Sequence, residues 1–137
     1  MKELAIEAKT ENVDKVIEFI NEELDKLGCL SKIKIEINVA ADELFANIAN
    51  YAYKHEIGKA KVRVEVKDNP KAIVVTFIDN GIPFNPLEKA DPNVSLSADE
   101  RNIGGLGIYI VKKTMDKVEY EYKDNQNILT ITKNINV

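Results

Sequence analysis

Three short stretches carry residue types that a folded core does not ask for. The first is "ELFANIAN", where Glu43, Asn47 and Asn50 recur at steps of four and three. On a helix those steps share one stripe, about 5–6 Å apart at the β-carbons, and Lys54 continues it. A solvated helix face would also read this way. Asparagine is nevertheless a poor helix-interior residue, and two within four positions conflict with the element that carries them. An amide carbonyl is a good hard ligand for Mg²⁺, and a glutamate one turn earlier can hold or deprotonate a water or hydroxyl.

The second stretch is "DNGIPFNP", which places Asp79 at the end of the apolar run "AIVVTFID" and Gly81 just beyond it. A strand-end carboxylate can accept from the exocyclic amino group of adenine, while a glycine lets the backbone close over the ring. The competing reading is an ordinary turn. The third is "GGLG", Gly104 to Gly107, opening a helix. Its free N–H groups and positive helix end would attract phosphate, whereas the alternative is a flexible hinge. No GK[ST] follows and no strand directly precedes, so it is neither a phosphate loop of that type nor a dinucleotide fingerprint. In order, the three stretches furnish the parts of an Mg²⁺·nucleotide site.

The elements that must position them follow from periodicity. "LAIEAK" alternates as a strand. After Thr10, read as an N-cap, apolar residues at Val13, Val16, Ile17, Ile20, Leu24 and Leu27 mark a helix that Gly28 stops. "IKIEINV" alternates like a strand, yet runs without a turn residue into a helical apolar face at Ala40, Ala41, Leu44, Phe45, Ile48, Ala49 and Ala52. A single helix from about Lys32 to Lys54 is therefore expected. "KVRVEVKD" reads as a half-exposed strand, Asn69-Pro70 as a turn, and "AIVVTFID", apolar on both faces, as a central strand. Residues 82–103 carry Pro83, Pro86 and Pro92, a loop of a length that is usually functional or mobile and could close over a nucleotide. A helix from "GGLGIYIVKKTMD" and two strands, "KVEYEY" and "NILTITK", complete the chain. The expected fold is α/β (α+β): one domain over residues 1–137, a two-layer sandwich whose mixed, mostly antiparallel sheet of about five strands is covered on one face by three helices.

Composition narrows the setting. With 137 residues, 45% hydrophobic and 31% charged, the chain suits one ordinary globular domain. A net charge of −4 with scattered Lys and Arg disfavours nucleic-acid backbone binding. The single cysteine, Cys29, can form no internal disulfide and is expected to be a small packed residue. No signal-like or membrane-length apolar run is seen, so a reducing cytoplasm is expected.

The order of the motifs resembles the GHKL (Bergerat-fold) ATP-binding superfamily, which includes the histidine kinases. Its N box is similar to "ELFANIANYAY", and its glycine boxes to "DNGIPF" and "GGLGIYIVKKTMD". The stand-alone anti-sigma-factor serine/threonine-protein kinases of bacteria are a narrower match, through "DNGIPFNPLEK", "RNIGGLGIYIVKKTMDKVEY" and "NQNILTITK". This resemblance implies Glu43 as catalytic base and Asn47 as Mg²⁺ ligand, with Asn50 adding a phosphate or water contact. It implies Asp79 as adenine acceptor with Gly81, Pro83 and Phe84 beside it. Gly104, Gly105, Leu106 and Gly107 would cradle phosphates, and Arg101 would reach the γ-phosphate. The superfamily often has a threonine beside adenine in its last strand; here Asn127 and Thr130 are the alternatives.

The activity so implied is an ATP- and Mg²⁺-dependent kinase that phosphorylates a STAS-type anti-sigma-factor antagonist, with a sigma factor as mutually exclusive partner and a homodimer as assembly. The alternative is an ATP-dependent protein-binding module without phosphoryl transfer, and a third is slow ATP hydrolysis without an acceptor. The one histidine, His55, follows the N-box helix and lies in no phosphoacceptor context, so a self-phosphorylating sensor is not expected.

Overall fold

A computed structural model describes residues 1–53, 56–88 and 103–135, with the backbone alone at 103–106. Strand β1 (Lys2–Glu7) leads through a 3₁₀ turn, Thr10–Asn12, into α1 (Val13–Leu27) and α2 (Ser31–Asn47), which ends in a π turn, Ile48–Ala52. Strands β2 (Lys59–Lys67) and β3 (Ala72–Asp79) follow, then a 3₁₀ turn at Pro86–Glu88, helix α3 (Ile103–Thr114) and strands β4 (Lys117–Lys123) and β5 (Gln126–Asn134). The five strands form one sheet in the order β1-β2-β3-β5-β4, and every pairing is antiparallel. The largely antiparallel sheet expected from the sequence is thus wholly so.

The helical reading of "IKIEINV" is correct, and burial shows why. Ile33, Ile37, Ala40, Ala41, Leu44 and Phe45 are buried while Ile35 is 61% exposed, a period of three to four that a strand could not produce. The π turn then widens the last turn before the chain leaves for β2. Thr10 does not cap α1: it opens the 3₁₀ turn, and Asn12 takes the cap position and donates from Nδ2 to the Glu7 carbonyl at 2.9 Å. At the other end, Gly28 adopts φ 63°, the left-handed conformation that closes a helix with little steric cost in glycine.

Strand β3 is central and buried on both faces. Ile73, Val75 and Phe77 point into the helix-covered core with Val62, Val64, Leu129 and Ile131. On the opposite face Val74 and Ile78 are also buried. Their register neighbours include Lys61, Glu65 and Thr132, whose aliphatic portions screen them. Each such fully buried side chain contributes about 1.5–3 kcal/mol by leaving water. Cys29 is half-buried and packs against the core.

The hairpin β4-β5 turns on Asp124 and Asn125, with φ values of 54° and 62°. Two successive positive-φ residues make the turn whose twist matches the strands it joins. That turn sets β5 against β4, and the pairing of β5 with β3 places Asn127 opposite Asp79.

Candidate nucleotide site

The site lies where β3 ends and β5 begins, beside the C-terminal part of α2. Asp79 and Asn127 are paired across the two strands on the core face, only 6% and 5% exposed. Polar groups buried this deeply must be hydrogen-bonded, and here the bonds are shared. Asn127 Nδ2 donates to Asp79 Oδ1 at 2.9 Å and to the Ile82 carbonyl at 2.8 Å. Its Oδ1 accepts from the Phe84 N–H at 3.1 Å and from the Tyr120 hydroxyl. All the capacity of one amide is therefore committed to holding Asp79 and residues 82–84 together.

Asp79 Oδ1 also accepts the Gly81 N–H at 2.9 Å. Both protein donors fall on this one oxygen, and among the described residues Oδ2 takes no hydrogen bond. Burial raises the carboxyl above its ordinary pKa, with the Asn127 and Gly81 hydrogen bonds pulling the other way. Burial likewise raises the hydroxyls of Tyr120 and Tyr53.

Gly81 is required by proximity. A β-carbon there would lie 2.6 Å from both C and Cβ of Ala52 in the π turn, and the neighbouring Ile82 N–H donates to the Ala52 carbonyl at 2.9 Å. Tyr53 extends the same seam: its hydroxyl donates to the Lys59 carbonyl at 2.6 Å and accepts the Asn80 N–H at 2.8 Å. The π turn after α2 and the residues just after Asp79 are thus tied by a backbone hydrogen bond and by the Tyr53 hydroxyl.

These residues enclose a cavity lined by Asn47, Asp79, Phe84, Tyr120, Asn127 and Leu129, among others. The centres of water-sized molecules have about 30 Å³ within it, room for about two waters. Phe84 sits against Tyr51 with ring centroids 5.8 Å apart.

Asn47 projects into this cavity from α2. Its Nδ2 is buried without a hydrogen-bond partner. Asn21 Oδ1 and Asn38 Oδ1 are the other such atoms among the described residues, and neither residue lines the cavity. An orphaned amide on the cavity wall fits a polar group that arrives with a ligand, and a half turn of the amide offers either its oxygen or its nitrogen. Among the described residues no cluster of three or more His, Cys, Asp or Glu could cage a metal by itself. A single amide oxygen is compatible with Mg²⁺, an ion that usually keeps waters and takes its remaining ligands from phosphates.

Glu43 stands one turn before Asn47, half-buried, with its carboxyl against the backbone of α3 at Gly107. Gly104, Gly105 and Leu106 form the first turn of α3. Asn50 is exposed on the π turn and does not line the cavity, and Pro83 is exposed on the loop. Arg101, Lys54 and His55 lie outside the described residues.

Of the two last-strand alternatives, Asn127 is in the site. Thr130 is on the other sheet face, its hydroxyl 3.5 Å from that of Thr76. Tyr120 and Tyr53 were not anticipated. Tyr120 is legible in retrospect as the inward aromatic of the series Val118, Tyr120, Tyr122, but its partner is set by strand register.

With this geometry the class of protein follows from comparison. Residues 6–133 match the histidine kinase-like ATPase domain family, and the chain belongs to it. A domain of this family implies binding of ATP or ADP. Among relatives, the serine/threonine-protein kinase BtrW of Bordetella bronchiseptica is 24% identical over 74% of this chain and 71% of its own. The serine-protein kinase RsbW of Bacillus thuringiensis is 26% identical over 69% of this chain, a match spanning 60% of that protein's length. The histidine kinase domain of the blue-light activated histidine kinase from Erythrobacter litoralis EL346 shares the fold, with a TM-score of 0.58 and 16% identity, covering 92% of this chain and 60% of that one.

Proposed function

We propose that the protein is a serine/threonine-protein kinase that transfers the γ-phosphoryl group of ATP to a hydroxyl on a partner protein. The observation that carries this reading is the division of labour at Asp79: Oδ1 is held by two protein donors, leaving Oδ2 as an acceptor for the adenine amino group. A ring held there has its phosphates directed along α2 and toward the first turn of α3. The free N–H groups of that turn, at Gly104, Gly105 and Leu106, are suited to bind them. Asn50, Arg101 and the loop around Pro83 and Phe84 complete the proposed nucleotide contacts.

Asn47 is the residue that would hold Mg²⁺, whose role when bound is to offset charge on the phosphate oxygens. Glu43 orients the partner's hydroxyl and accepts its proton. The hydroxyl oxygen bonds to the γ-phosphorus as the bond to the β–γ bridging oxygen breaks, and the electron pair departs with ADP. Asp79 and the backbone N–H groups of α3 fix the donor while this occurs.

The names of the BtrW and RsbW relatives support a kinase acting on serine or threonine. A STAS-type anti-sigma-factor antagonist is the proposed substrate, a sigma factor the competing partner, and a homodimer in the cytoplasm the proposed state. No described helix is long and apolar enough to cross a membrane.

The test is transfer from labelled ATP to a purified STAS-domain protein by wild type and Glu43→Ala. The expected result is unchanged ATP affinity and a loss of transfer of about 100-fold or more, the usual contribution of a general base. Wild-type transfer by Glu43→Ala would remove Glu43 from the role. ATP binding with no transfer by the wild type would favour a nucleotide-controlled binding module.

A further inference from the structure

Gly107 occupies a different position from the glycines that open α3. The N–H groups left free at a helix start are the first four, whereas Gly107 is the fifth residue of α3. Its own N–H is therefore committed to the helix, and a phosphate cradle gives no reason for glycine here. Helix propensity argues against glycine as well, since alanine is favoured in a helix interior.

The reason lies across the helix interface. A β-carbon on Gly107 would overlap the Glu43 carboxyl, meeting Cδ and both Oε atoms far inside contact distance. These three atoms are the nearest neighbours of that missing β-carbon, and no backbone atom is among them. The carboxyl of Glu43 thus occupies the space that any other residue at 107 would fill. Because the obstructing atoms are the far end of a flexible side chain, a larger residue need not unfold the protein. It need only expel the carboxylate.

We infer that Gly107 is a positioning residue for Glu43: its lack of a side chain forms the slot that seats the carboxylate against α3, beside the turn proposed to receive the phosphates. The inference deepens the kinase reading and rests on it for the consequence in catalysis, but the slot itself is a matter of packing. Any change that fills the slot should act as a partial deletion of Glu43 while leaving the adenine end, some residues away on β3 and β5, as it was.

The decisive comparison is a cycle of wild type, Gly107→Ala, Glu43→Ala and the double variant, with two independent readouts. The first is the side-chain carboxyl carbon resonance of Glu43, assigned by its absence in Glu43→Gln. Gly107→Ala should shift it, and should raise Tm more in the Glu43→Ala background than in the native one, since only there does alanine meet no carboxylate. The second is transfer from labelled ATP to a purified STAS-domain protein. Gly107→Ala should lose transfer, but by less than the loss of about 100-fold or more expected of Glu43→Ala, and the double variant should be no slower than Glu43→Ala. An unshifted resonance with equal Tm gains in both backgrounds would overturn the slot. A shifted resonance with losses that multiply in the double variant would overturn the positioning role, showing that Gly107 acts separately from Glu43. If the wild type transfers nothing, the kinase reading fails by itself, and the resonance and Tm cycle still decide whether the slot exists.

Discussion

Two asparagines that line one cavity, Asn127 buried and Asn47 half-buried, differ in how their amides are satisfied. Asn127 makes four hydrogen bonds, to Asp79, Ile82, Phe84 and Tyr120. Asn47 buries its Nδ2 with none. A satisfied amide rigidifies its surroundings, whereas an unsatisfied one costs about 1–3 kcal/mol until something pairs with it. The end of the cavity at β3 and β5 is therefore internally satisfied, whereas the end at α2 keeps an unpaired amide nitrogen.

Substitutions should separate the two ends by sign. Asn127→Leu should have the largest effect, because it strands Asp79 and the Tyr120 hydroxyl together; we expect a loss of about 2–4 kcal/mol in chemical denaturation, from several buried groups left unpaired, along with loss of ATP binding. Asn47→Leu should do the reverse to the ligand-free protein, leaving stability unchanged or raising it by about 1 kcal/mol as the orphan is removed. Calorimetry on the same variant should show that the magnesium-dependent part of ATP binding is gone. A destabilised Asn47→Leu would contradict the contrast.

A pH series sharpens it further. Asp79 has a raised pKa in the folded protein, so the folded state binds its proton more tightly than the unfolded one. Its contribution makes stability fall as pH rises between the unfolded value, about 3.9, and the higher folded value, and that slope should vanish in Asp79→Asn. ATP affinity should move oppositely, weakening as acid protonates Asp79 and removes an ionised acceptor. The smallest effect belongs to Thr130→Val, on the far sheet face, which should leave ATP affinity unchanged and alter stability by no more than about 0.5–1 kcal/mol, the worth of one modest hydrogen bond.

What the sequence disclosed and what it withheld divide along the same physical line. The burial of β3, the helical face of α2 and the identity of Asp79 and Asn47 as misplaced polar residues are local patterns, carried by periodicity within a dozen positions. Asn127 was one of two open alternatives because the choice depends on the register of β5 against β3, a pairing of residues far apart in the chain. The contact between Glu43 and Gly107 joins residues far apart in the chain, and the glycine's place in a glycine-rich motif concealed it. Thr10 was misread as a cap because its context matched one, while the backbone inserts a 3₁₀ turn and hands the position to Asn12.

The most direct measurement is calorimetric titration of ATP, with Mg²⁺, into wild type and Asp79→Asn, with a thermal scan of each. Asparagine preserves an acceptor for Gly81 and Asn127 but presents an amino group where Oδ2 stood. We predict an equally folded variant whose ATP affinity falls by about 10-fold or more, as loss of a charge-assisted hydrogen bond implies. A folded Asp79→Asn that binds ATP as tightly as the wild type would contradict the account.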